Sequence, residues 1–526
     1  MKNIINIINF VRQNEPREGR SIDLLDTTRR QIAEMRARNL TGTFLLQYDA
    51  LIDPAFVGLF KDSEFELGLW MEIVQPQVEA IGEVWRGRYP WDWFNDVGFL
   101  IGYEPETRKR LIDEAMNKFL ETFGYIPSSV GSWHMDACSM EYMSEKYRTD
   151  AFCICRDQIG TDGYTMQGGY YNQAYYPSRT SMFTPAGSPE NQISTPVFRM
   201  LGSDAVYAYD YQVRWDDYRI ATVPTLECIS ASCGGNPGWV EHYLNDTFSG
   251  SGICFQYTQA GQENSFGWQR MADAFVSQMD TIRSRVDAGQ MELMTLGEAG
   301  RWYKQNFAMT PPAAYTSMGD YHFGRYKSVW YSCKNYRINL FWDRGVVRIR
   351  DMYIFSDRIR ERYLTRRCTT HACEYRNLPV MDGALYGRDS GVYLSRGEED
   401  IVWEQMDYRE TEDGCVIGLR NGSGMAEITL TPEGISAVSN IAGFELRTEF
   451  SRAAAEGLIG GAEDTFANHN NRSTVLSYVS RATVSPKRVS FSFYSVQYGL
   501  TAEKGLITDT LCVLPENGRI ELMVNG

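Results

Sequence analysis

The sequence predicts an α/β protein with two domains, a closed or nearly closed parallel barrel over residues 1–308 and a β-sandwich-like domain over residues 309–526. Three observations support this prediction. Short apolar runs alternate with amphipathic stretches about seven times, which is typical of parallel strands joined by crossover helices. The segment TPPAAY near residue 310 ends that alternation, and β-like runs separated by turn residues follow it. A chain of 526 residues is also too long for one ordinary domain.

The predicted strands and helices of the barrel follow one another in order. INIINFV is the first strand and SIDLLDTTRRQIAEMRARN the first helix, because Leu24, Ile32 and Met35 recur at helical spacing. GTFLLQYDAL contains the second strand, a short helix spans Pro54 to Phe60, and FELGLWMEIV contains the third strand. The helix TRKRLIDEAMNKFLETFG ends at a glycine, and SSVGSWHMDA, CSMEYMSEKY and AFCICRDQ follow as strand, helix and strand. SGICFQYTQ, GWQRMADAFVSQMDTIRSRV and MELMTLGE complete the series as strand, helix and strand.

Residues 160–240 interrupt this pattern with little periodicity and with stretches rich in Gly, Tyr, Pro and Asn. A long irregular segment inside a domain is usually functional. Beyond residue 310, the strand-like runs are RGVVRIRDMYIF, GCVIGLRN, AEITLTPEGISAV, KRVSFSFYSVQYG and RIELMVNG. Their turn-separated pattern predicts a β-sandwich.

Charge and composition exclude several classes of partner and cofactor. The net charge of −15 argues against nucleic acid and an anionic membrane surface, and no apolar run is long enough to span a bilayer. The 11 cysteines have no zinc-site spacing, and the five histidines form no H-x-H or H-x-x-x-H pair. We therefore expect a cytoplasmic protein with reduced thiols, no metal and no cofactor. A homo-oligomer is compatible with the sequence, although no residue indicates one.

Five acidic residues are predicted at the carboxyl ends of barrel strands, where parallel α/β barrels have their active sites. They are Glu72, Asp136, Asp157, Glu263 and Glu298. A single acid at such a place more often forms a salt bridge or caps a helix, but five together favour a carboxylate site. Converging carboxylates suit glycosidic cleavage, in which one protonates the leaving oxygen while the other attacks the anomeric carbon or activates water.

Aromatic side chains near these acids have flat faces that can stack on sugar rings, although core packing explains many such rings equally well. The candidates are Trp70 beside Glu72 and, in the segment WRGRYPWDWF, Trp85, Trp91 and Trp93. His134 precedes Asp136 by two residues, so strand alternation would put both on the inner side of the barrel. A hydrogen-bonding role in the core is the alternative for His134.

The stretch from SIDLLDTTRRQIAEMRARNLTGTFLLQYDAL through ELGLWMEIV and FGYIPSSVGSWHMDA resembles the polysaccharide-deacetylase-like superfamily. The resemblance covers residues 1–305 and implies a distorted (β/α)7 barrel, related to the barrels of glycoside hydrolase families 57 and 38. Metal-dependent deacetylases have an Asp-Asp pair after the first strand and an H-x-x-x-H motif after the third. INFVRQNEPR and LWMEIVQP contain neither motif. Uncharacterised bacterial proteins have similar GGY–YYPSR and GQENSFGW segments.

Family 57 is the more similar of these groups. Glu72 in GLWMEI resembles its third-strand acid, Asp136 in SWHMDA resembles the nucleophile that follows a tryptophan, and GQENSFGW is similar to its late acidic motif. The family nucleophile is a glutamate, and its late catalytic aspartate has no counterpart here, where Glu263 is the only acid of the segment. The resemblance implies a glycoside hydrolase for a soluble oligosaccharide or small glycoside, with Asp136 as nucleophile and Glu263 as general acid/base.

The other candidates would bind the carbohydrate substrate. They are Glu72, Trp70, Trp85, Trp93, His134, Asp157 and Glu298. Two further interpretations stay open, a metal-dependent carbohydrate deacetylase and a non-catalytic carbohydrate-binding protein. A carboxyl separation of roughly 5–5.5 Å between Asp136 and Glu263 would predict retention of anomeric configuration, and roughly 6.5–9.5 Å would predict inversion.

Overall fold

The computed structural model describes residues 1–17, 22–61, 63–161, 164–171, 173–208, 212–215, 218–221, 224–248, 252–375, 377–383 and 390–449. Near the end of the chain it describes residues 477–479, 482–484, 488–492, 506–508, 510–515 and 517–525. No helix within these ranges is long and apolar enough to cross a membrane.

The first part of the chain contains fifteen strands and nine helices within the described residues. The strands are β1 (Lys2–Val11), β2 (Thr43–Leu46), β3 (Glu66–Trp70), β4 (Ser129–Gly131), β5 (Ala151–Ile154), β6 (Gln158–Thr161), β7 (Tyr164–Met166), β8 (Ala174–Tyr175), β9 (Pro177–Ser178), β10 (Ser181–Pro185), β11 (Val197–Arg199), β12 (Gln212–Trp215), β13 (Tyr218–Ala221), β14 (Phe255–Ala260) and β15 (Glu292–Leu293). The helices are α1 (Leu24–Ala37), α2 (Tyr48–Ile52), α3 (Pro54–Phe60), α4 (Gln75–Ala80), α5 (Pro105–Phe123), α6 (Ala137–Tyr147), α7 (Pro237–Phe248), α8 (Trp268–Asp287) and α9 (Leu296–Asn306).

Seven parallel strands form the barrel wall in the order β14-β1-β2-β3-β4-β5-β11. The short strand β8 pairs antiparallel with β11, and β15 pairs with the first half of β1. The barrel is therefore nearly closed. α-Helices lie between successive barrel strands, as the alternating sequence pattern predicts, except between β5 and β11, where the described residues form short strands and one 3-10 helix. The predicted fold class is confirmed.

Two strand predictions in the barrel require correction. MELMTLGE forms only the two-residue β15 before α9 begins at Leu296. The barrel strand β11 lies inside the segment that the sequence predicted to be irregular. Because β11 has only three residues, it is too short to show an alternating pattern.

Side chains close the barrel between β11 and β14, which share no backbone ladder. The backbone N–H of Leu201, just beyond β11, donates across the gap to Oε1 of Gln259 in β14 at 2.6 Å. Gln259 Nε2 donates to the carbonyl of Ala260 within β14 at 2.8 Å, which holds the side chain in place. The rings of Phe198 and Tyr257 meet across the same gap with centroids 4.9 Å apart. We call this contact between β11 and β14 the seam.

The second part of the chain is built from strands. They are β16 (Ala313–Ser317), β17 (Tyr326–Ser332), β18 (Tyr336–Asp343), β19 (Val346–Ile354), β20 (Cys373–Glu374), β21 (Leu378–Asp382), β22 (Gly391–Arg396), β23 (Glu399–Asp400), β24 (Gln405–Glu410), β25 (Cys415–Asn421), β26 (Gly424–Thr431), β27 (Gly434–Ser439), β28 (Phe444–Glu449), β29 (Ser477–Val479), β30 (Ala482–Val484), β31 (Arg488–Ser492), β32 (Leu506–Thr508), β33 (Thr510–Val513) and β34 (Arg519–Asn525).

Two largely antiparallel sheets of these strands form the predicted β-sandwich. The first runs β16-β17-β18-β19-β22-β28-β33-β30, and the second runs β24-β25-β26-β27-β34-β31. Apolar side chains of both sheets, such as Ile338 and Ile417, belong to one buried cluster. The predicted boundary at residues 308 and 309 falls between α9 and β16. Of the predicted strand KRVSFSFYSVQYG, β31 is described and the remainder lies outside the described residues.

Candidate active site

Arg12 lies inside the barrel at the carboxyl end of its strands. Side chains of β1 alternate between the two faces of the sheet, and Ile8 and Phe10 belong to the apolar interior. The same alternation directs Arg12, one residue beyond the end of β1, inward, where it is 0% exposed. Phe10 stacks on Trp70 with centroids 4.1 Å apart, and Trp133 meets both rings at a steep angle. These three rings form an aromatic floor beneath Arg12.

Glu72 binds Arg12 through two hydrogen bonds. Arg12 Nε donates to Glu72 Oε2 at 2.8 Å, and Arg12 Nη2 donates to Glu72 Oε1 at 2.6 Å. Gln47 Nε2 donates to Glu72 Oε2 at 2.8 Å. Both oxygens of Glu72 therefore accept from buried donors, and the two-bond geometry fixes the plane of the guanidinium. Gln47 and Glu72 reach this position by the same inward alternation, beyond the ends of β2 and β3.

The loop GQENS after β14 surrounds Arg12 from the other side. It begins at Gly261, which has a φ of +102° and whose Cβ would lie 2.1 Å from a backbone carbonyl oxygen of β1, so the turn requires glycine. Glu263 Oε2 accepts from Arg12 Nη1 at 2.5 Å, and Ser265 Oγ lies 3.1 Å from the same nitrogen. Asn264 accepts from the backbone N–H of Arg12 at 3.0 Å and donates to its carbonyl at 2.8 Å. The motif thus holds both the backbone and the side chain of Arg12.

Glu15, Arg17 and Trp91 cover this cluster. Arg17 Nη2 donates to Glu15 Oε2 at 2.8 Å, and Arg12 Nη1 lies 3.5 Å from the same oxygen. The Trp91 ring centroid is 4.3 Å from Arg12 Cζ and 4.7 Å from Arg17 Cζ. Such cation–π contacts strengthen when water is excluded. Because Glu263 is only 2% exposed, a substrate must displace part of this cover to reach it.

Burial raises the pKa of two carboxyl groups in this region. It raises the pKa of Asp49 to about 7, and the nearby charge of Glu72 acts in the same direction. Burial also raises the pKa of Glu263, while the charges of Arg12 and Arg17 oppose the shift. A carboxyl group with a raised pKa can hold a proton near neutral pH, which a general acid requires.

Several buried polar atoms in and beside the cluster, Gln262 Nε2 and Trp70 Nε1 included, have no hydrogen-bond partner among the described residues, and two of them lie next to Glu72 and Arg12. They are Gln47 Oε1, an acceptor, and Trp91 Nε1, a donor. Buried polar groups are normally hydrogen-bonded, so unpaired atoms mark places where a ligand or water completes the site. A sugar hydroxyl can serve either atom, since a hydroxyl both donates and accepts.

The predicted acids occupy different environments. Glu72 and Glu263 meet at Arg12. Asp136 instead caps α6, because its Oδ1 accepts from the Ser139 backbone N–H at 2.9 Å and its Oδ2 accepts from Ser139 Oγ at 2.7 Å. Arg108 Nη1 lies 3.0 Å from Asp136 Oδ1. Asp136 and Glu263 therefore share no bonding partner, and the nucleophilic role of Asp136 stays a prediction.

Asp157 and Glu298 make contacts within the scaffold. Asp157 Oδ1 accepts from Arg199 Nη2 at 2.7 Å, and its Oδ2 accepts from Arg337, which joins the barrel to the first sheet of the sandwich. Glu298 forms a capping box with Thr295 at the start of α9, in contrast to the predicted position at a strand end. Neither acid takes part in the hydrogen bonds around Arg12 described above.

His134 does not occupy the inward position that alternation suggested. β4 ends at Gly131, and Trp133 is the residue that joins the aromatic floor. His134 stacks on Phe99 with centroids 4.3 Å apart, and its Nδ1 lies 3.1 Å from the Tyr375 hydroxyl. Burial lowers the pKa of His134 to about 3, so its imidazole is neutral.

The predicted tryptophans differ in their surroundings. Trp70 belongs to the aromatic floor, and Trp85 Nε1 donates to the Tyr89 carbonyl at 2.8 Å. Trp93 lies nearly parallel to Tyr89, with centroids 6.1 Å apart, and its centroid is 5.8 Å from Arg17 Cζ. Within WRGRYPWDWF, Trp91 is the tryptophan that contacts Arg12.

The sequence-based search missed Arg12, Gln47 and Asp49. The signal for the first two was present, since both continue the inward alternation of a strand beyond its last residue. Asp49 lies in the first turn of α2, where strand periodicity no longer applies. A search confined to acids at strand ends could not identify the basic residue that brings them together.

The described part of the chain contains no group of three or more His, Cys, Asp or Glu residues that could hold a metal ion. It does contain an open groove of about 1050 Å³ at the opposite, amino end of the barrel strands. Charged side chains of that groove pair with each other, as Lys2 does with Glu292 and Arg36 with Glu64. The Arg12 cluster, by contrast, is a buried charged cluster at the carboxyl end of the strands, where α/β barrels carry out chemistry.

No protein-family model and no curated protein matches the chain. Among solved structures, the chain is similar to a "putative glycoside hydrolase/deacetylase" from Parabacteroides distasonis, with a TM-score of 0.50 and 13% identity over 70% of this chain and 87% of that chain. It is also similar to 4-alpha-glucanotransferase from Thermococcus litoralis, with a TM-score of 0.30 and 10% identity over 86% of this chain and 87% of that chain. At 13% identity, the likeness to the Parabacteroides structure shows a shared fold.

Proposed function

We propose that this protein is a carbohydrate-active enzyme, a glycoside hydrolase in which Glu263 is a catalytic acid/base. One observation carries the proposal. Glu263 Oε2 is anchored on Arg12 at 2.5 Å, while no donor among the described residues contacts its Oε1. Glu263 therefore has a fixed position and one oxygen free to exchange a proton with a substrate.

Arg12 and Glu72 prepare this carboxyl group for catalysis. The guanidinium of Arg12 is fixed by Glu72, so it cannot rotate away from Glu263 as charge develops during the reaction. Burial in a water-poor site strengthens this interaction. The unpaired Gln47 Oε1 and Trp91 Nε1 supply an acceptor and a donor for hydroxyl groups of a sugar.

Glycosidic cleavage pairs an acid/base such as Glu263 with a second carboxyl group. The sequence resemblance gives the nucleophilic role to Asp136, whose two oxygens accept three polar contacts from Ser139 and Arg108. An oxygen that attacks an anomeric carbon must first lose such partners. Glu72 has the same constraint, since its two oxygens accept from Arg12 and Gln47.

The experiment is an incubation of purified protein, with and without a chelator, against aryl glycosides, oligosaccharides and acetylated sugars. New reducing ends and free acetate are both quantified. The proposal predicts chelator-resistant reducing ends that Glu263→Gln reduces by roughly 10²–10⁴-fold. Glu66→Gln is the matched control, because Glu66 is a carboxylate at the other end of β3 that accepts from Ser129 and Thr295.

The outcomes separate the candidate functions. Release of acetate that the chelator abolishes would replace the proposal with a deacetylase, and saturable sugar binding without turnover would replace it with a binding protein. Asp136→Asn tests the predicted nucleophile within the same panel. Full activity in that variant would remove Asp136 from the reaction.

A further inference from the structure

We propose that the substrate of this protein is an oligosaccharide that carries acidic groups, and that an arginine-rich segment beside the site binds those groups. The segment comprises residues 356–367, SDRIRERYLTRR, which lie between β19 and β20 and which we call the arginine segment. The inference rests on the proposed glycoside hydrolase function and names the class of its substrate. Uronic acids and sulfated sugars are the carbohydrates with such groups.

The arginine segment is strongly basic in an acidic protein. It holds five arginines in twelve residues, whereas the whole chain holds 52 basic residues in 526 and has a net charge of −15. Its two acids bond to neutral donors of the barrel. Glu361 is 3% exposed and accepts from the backbone N–H groups of Ala137 at 2.8 Å and Met182 at 2.9 Å. Asp357 accepts from Ser178 Oγ at 2.8 Å.

Three arginines of the segment face solvent without an acidic partner. Arg360, Arg362 and Arg366 are exposed, and no carboxylate in the described part of the chain forms an ion pair with them. Glu361 is buried between the first two in an extended conformation, with φ of −66° and ψ of 146°, so both arginines face the opposite side of the chain. A guanidinium presents a planar set of donors that matches the oxygens of a carboxylate or a similar anion.

The arginine segment is bound to the carboxyl end of the barrel. Glu361 accepts from the first residue of α6, the helix that follows β4. Arg108 of α5 donates to the carbonyl oxygens of Tyr363 at 2.6 Å and Arg366 at 3.1 Å. β4 pairs with β3, whose continuation carries Glu72. The segment therefore lies at the same end of the barrel as the candidate site.

Aromatic side chains connect the arginine segment to the candidate site. His371, four residues beyond the segment, stacks on Phe94 with centroids 3.8 Å apart. The centroids of Phe94 and Trp93 are 5.7 Å apart, and those of Trp93 and Trp91 are 6.3 Å apart. Trp91 in turn covers Arg12. These contacts form a continuous path of rings from the site to the segment, along which sugar rings can stack.

The two arginines on this path have acidic partners of their own. Arg88 Cζ is 4.6 Å from the Trp93 centroid, and Arg88 donates to both oxygens of Asp92. Arg17 Cζ is 5.8 Å from the same centroid, and Arg17 donates to both oxygens of Glu15. The arginines without an acidic partner lie in the arginine segment instead. We therefore expect the acidic groups of the substrate at that end of the path and not at the bond that is cleaved.

The test is a calorimetric titration with hexagalacturonate, sulfated maltohexaose and unmodified maltohexaose. It uses Glu263→Gln protein, so that a bound oligosaccharide is not cleaved. The same protein with the added changes Arg360→Gln, Arg362→Gln and Arg366→Gln tests the segment. The two acidic ligands show whether the segment prefers a carboxylate or a sulfate.

The matched control places the same loss of charge elsewhere. It combines Arg344→Gln, Arg409→Gln and Arg420→Gln, because these arginines are exposed residues of the sandwich. Both triple variants change exposed side chains and should fold, which circular dichroism checks. Any effect of net charge alone is then equal in the two variants.

We expect at least one acidic hexamer to bind about tenfold or more tightly than maltohexaose, and the segment variant to raise its Kd by roughly 10–100-fold. The preference should shrink between about 50 and about 300 mM NaCl, because exposed charges are screened. The control variant should keep the wild-type preference.

Equal affinity for acidic and neutral hexamers, or an equal loss in the control variant, would overturn the inference. Equally tight binding of a polyphosphate of the same charge would also overturn it, because the segment would then be a general surface for polyanions. Binding of an acidic hexamer through the segment, without hydrolysis of any acidic or neutral oligosaccharide by the wild-type protein, would support recognition of acidic sugars and refute the proposed hydrolase function.

Discussion

Replacement of Arg12 by Met tests how much the buried ion pairs of Arg12 contribute to the stability of the protein. Arg12 is fully buried and bonds to Glu72 twice and to Glu263 and Ser265 once each. Met fills similar apolar space but supplies neither charge nor donor. The variant therefore removes the cation to which both buried carboxylates bond and leaves the charge of Arg17 acting on Glu263, a more costly change than loss of the arginine contacts alone.

The expected loss of unfolding free energy is about 3–5 kcal/mol at pH 7, the range for a buried ion pair deprived of one partner. Lower pH should reduce this loss, because the uncompensated carboxyl groups can then become neutral. The sign follows from proton binding. In the variant the folded state takes up protons more readily than the unfolded state, so acidification favours the folded form relative to wild type. The double variant Arg12→Met with Glu72→Gln should recover part of the loss, because it removes one buried charge.

The assay is urea unfolding at pH 5 and pH 7, with Arg36→Met as control. Arg36 makes a two-bond pair with Glu64, but both side chains are about half exposed, and such surface pairs contribute only ~0–1 kcal/mol. A loss below about 1 kcal/mol for Arg12→Met, or a loss equal at both pH values, would refute the reasoning. The first result would mean that water reaches the cluster, and the second that the carboxylates are compensated by other groups.

Three further predictions concern stability and can be checked by unfolding experiments. Burial raises the pKa of Glu361 to about 8 from an ordinary 4.5. The folded state therefore holds this proton more tightly than the unfolded state, and the free energy of unfolding should fall by up to about 1.4 kcal/mol per pH unit as pH rises between these values. Glu361→Gln should remove that pH dependence. Gln259→Leu should lower the free energy of unfolding by about 1–3 kcal/mol, because the buried N–H of Leu201 loses its acceptor. An unchanged free energy of unfolding would show that water replaces the glutamine oxygen as acceptor. Gly68→Ala should destabilise by about 1–3 kcal/mol, since its Cβ would lie 2.5 Å from a carbonyl oxygen, whereas Gly58→Ala in α3 meets no atom within 4 Å and should be neutral or stabilising.

The sequence patterns were sufficient to predict the barrel and the sandwich. Five acids were predicted to converge at the strand ends, and of these Glu72 and Glu263 both bind Arg12. These features depend on strand direction and the carboxyl-end rule, which local sequence conveys. The partners of each acid depend on contacts between distant segments. Asp136 illustrates the difficulty, because a carboxylate after a strand is equally suited to capping the following helix, as its bond to Ser139 shows.

Arg12 and Asp49 were missed for different reasons. Arg12 continues the inward alternation of β1, so a search that included basic residues at strand ends would have found it. Asp49 depends on the abrupt start of α2 and on its hydrogen bond with Gln13, a residue on another strand's continuation. Sequence periodicity does not specify such a contact, since it requires both chain segments to be placed in space.

The seam between β11 and β14 has a consequence for how this barrel can vary among related proteins. Backbone hydrogen bonds hold neighbouring strands in one register. A glutamine side chain such as that of Gln259 can instead place its amide oxygen at different distances from the strand by changing rotamer. The segment between β11 and β14 begins and ends at this seam. Insertions and deletions in that segment can therefore be absorbed locally, while the strands that carry Arg12, Glu72 and Glu263 keep their alignment. Changes of chain length are thus expected near the seam, whereas the hydrogen-bonded strands β14, β1, β2 and β3 keep one register.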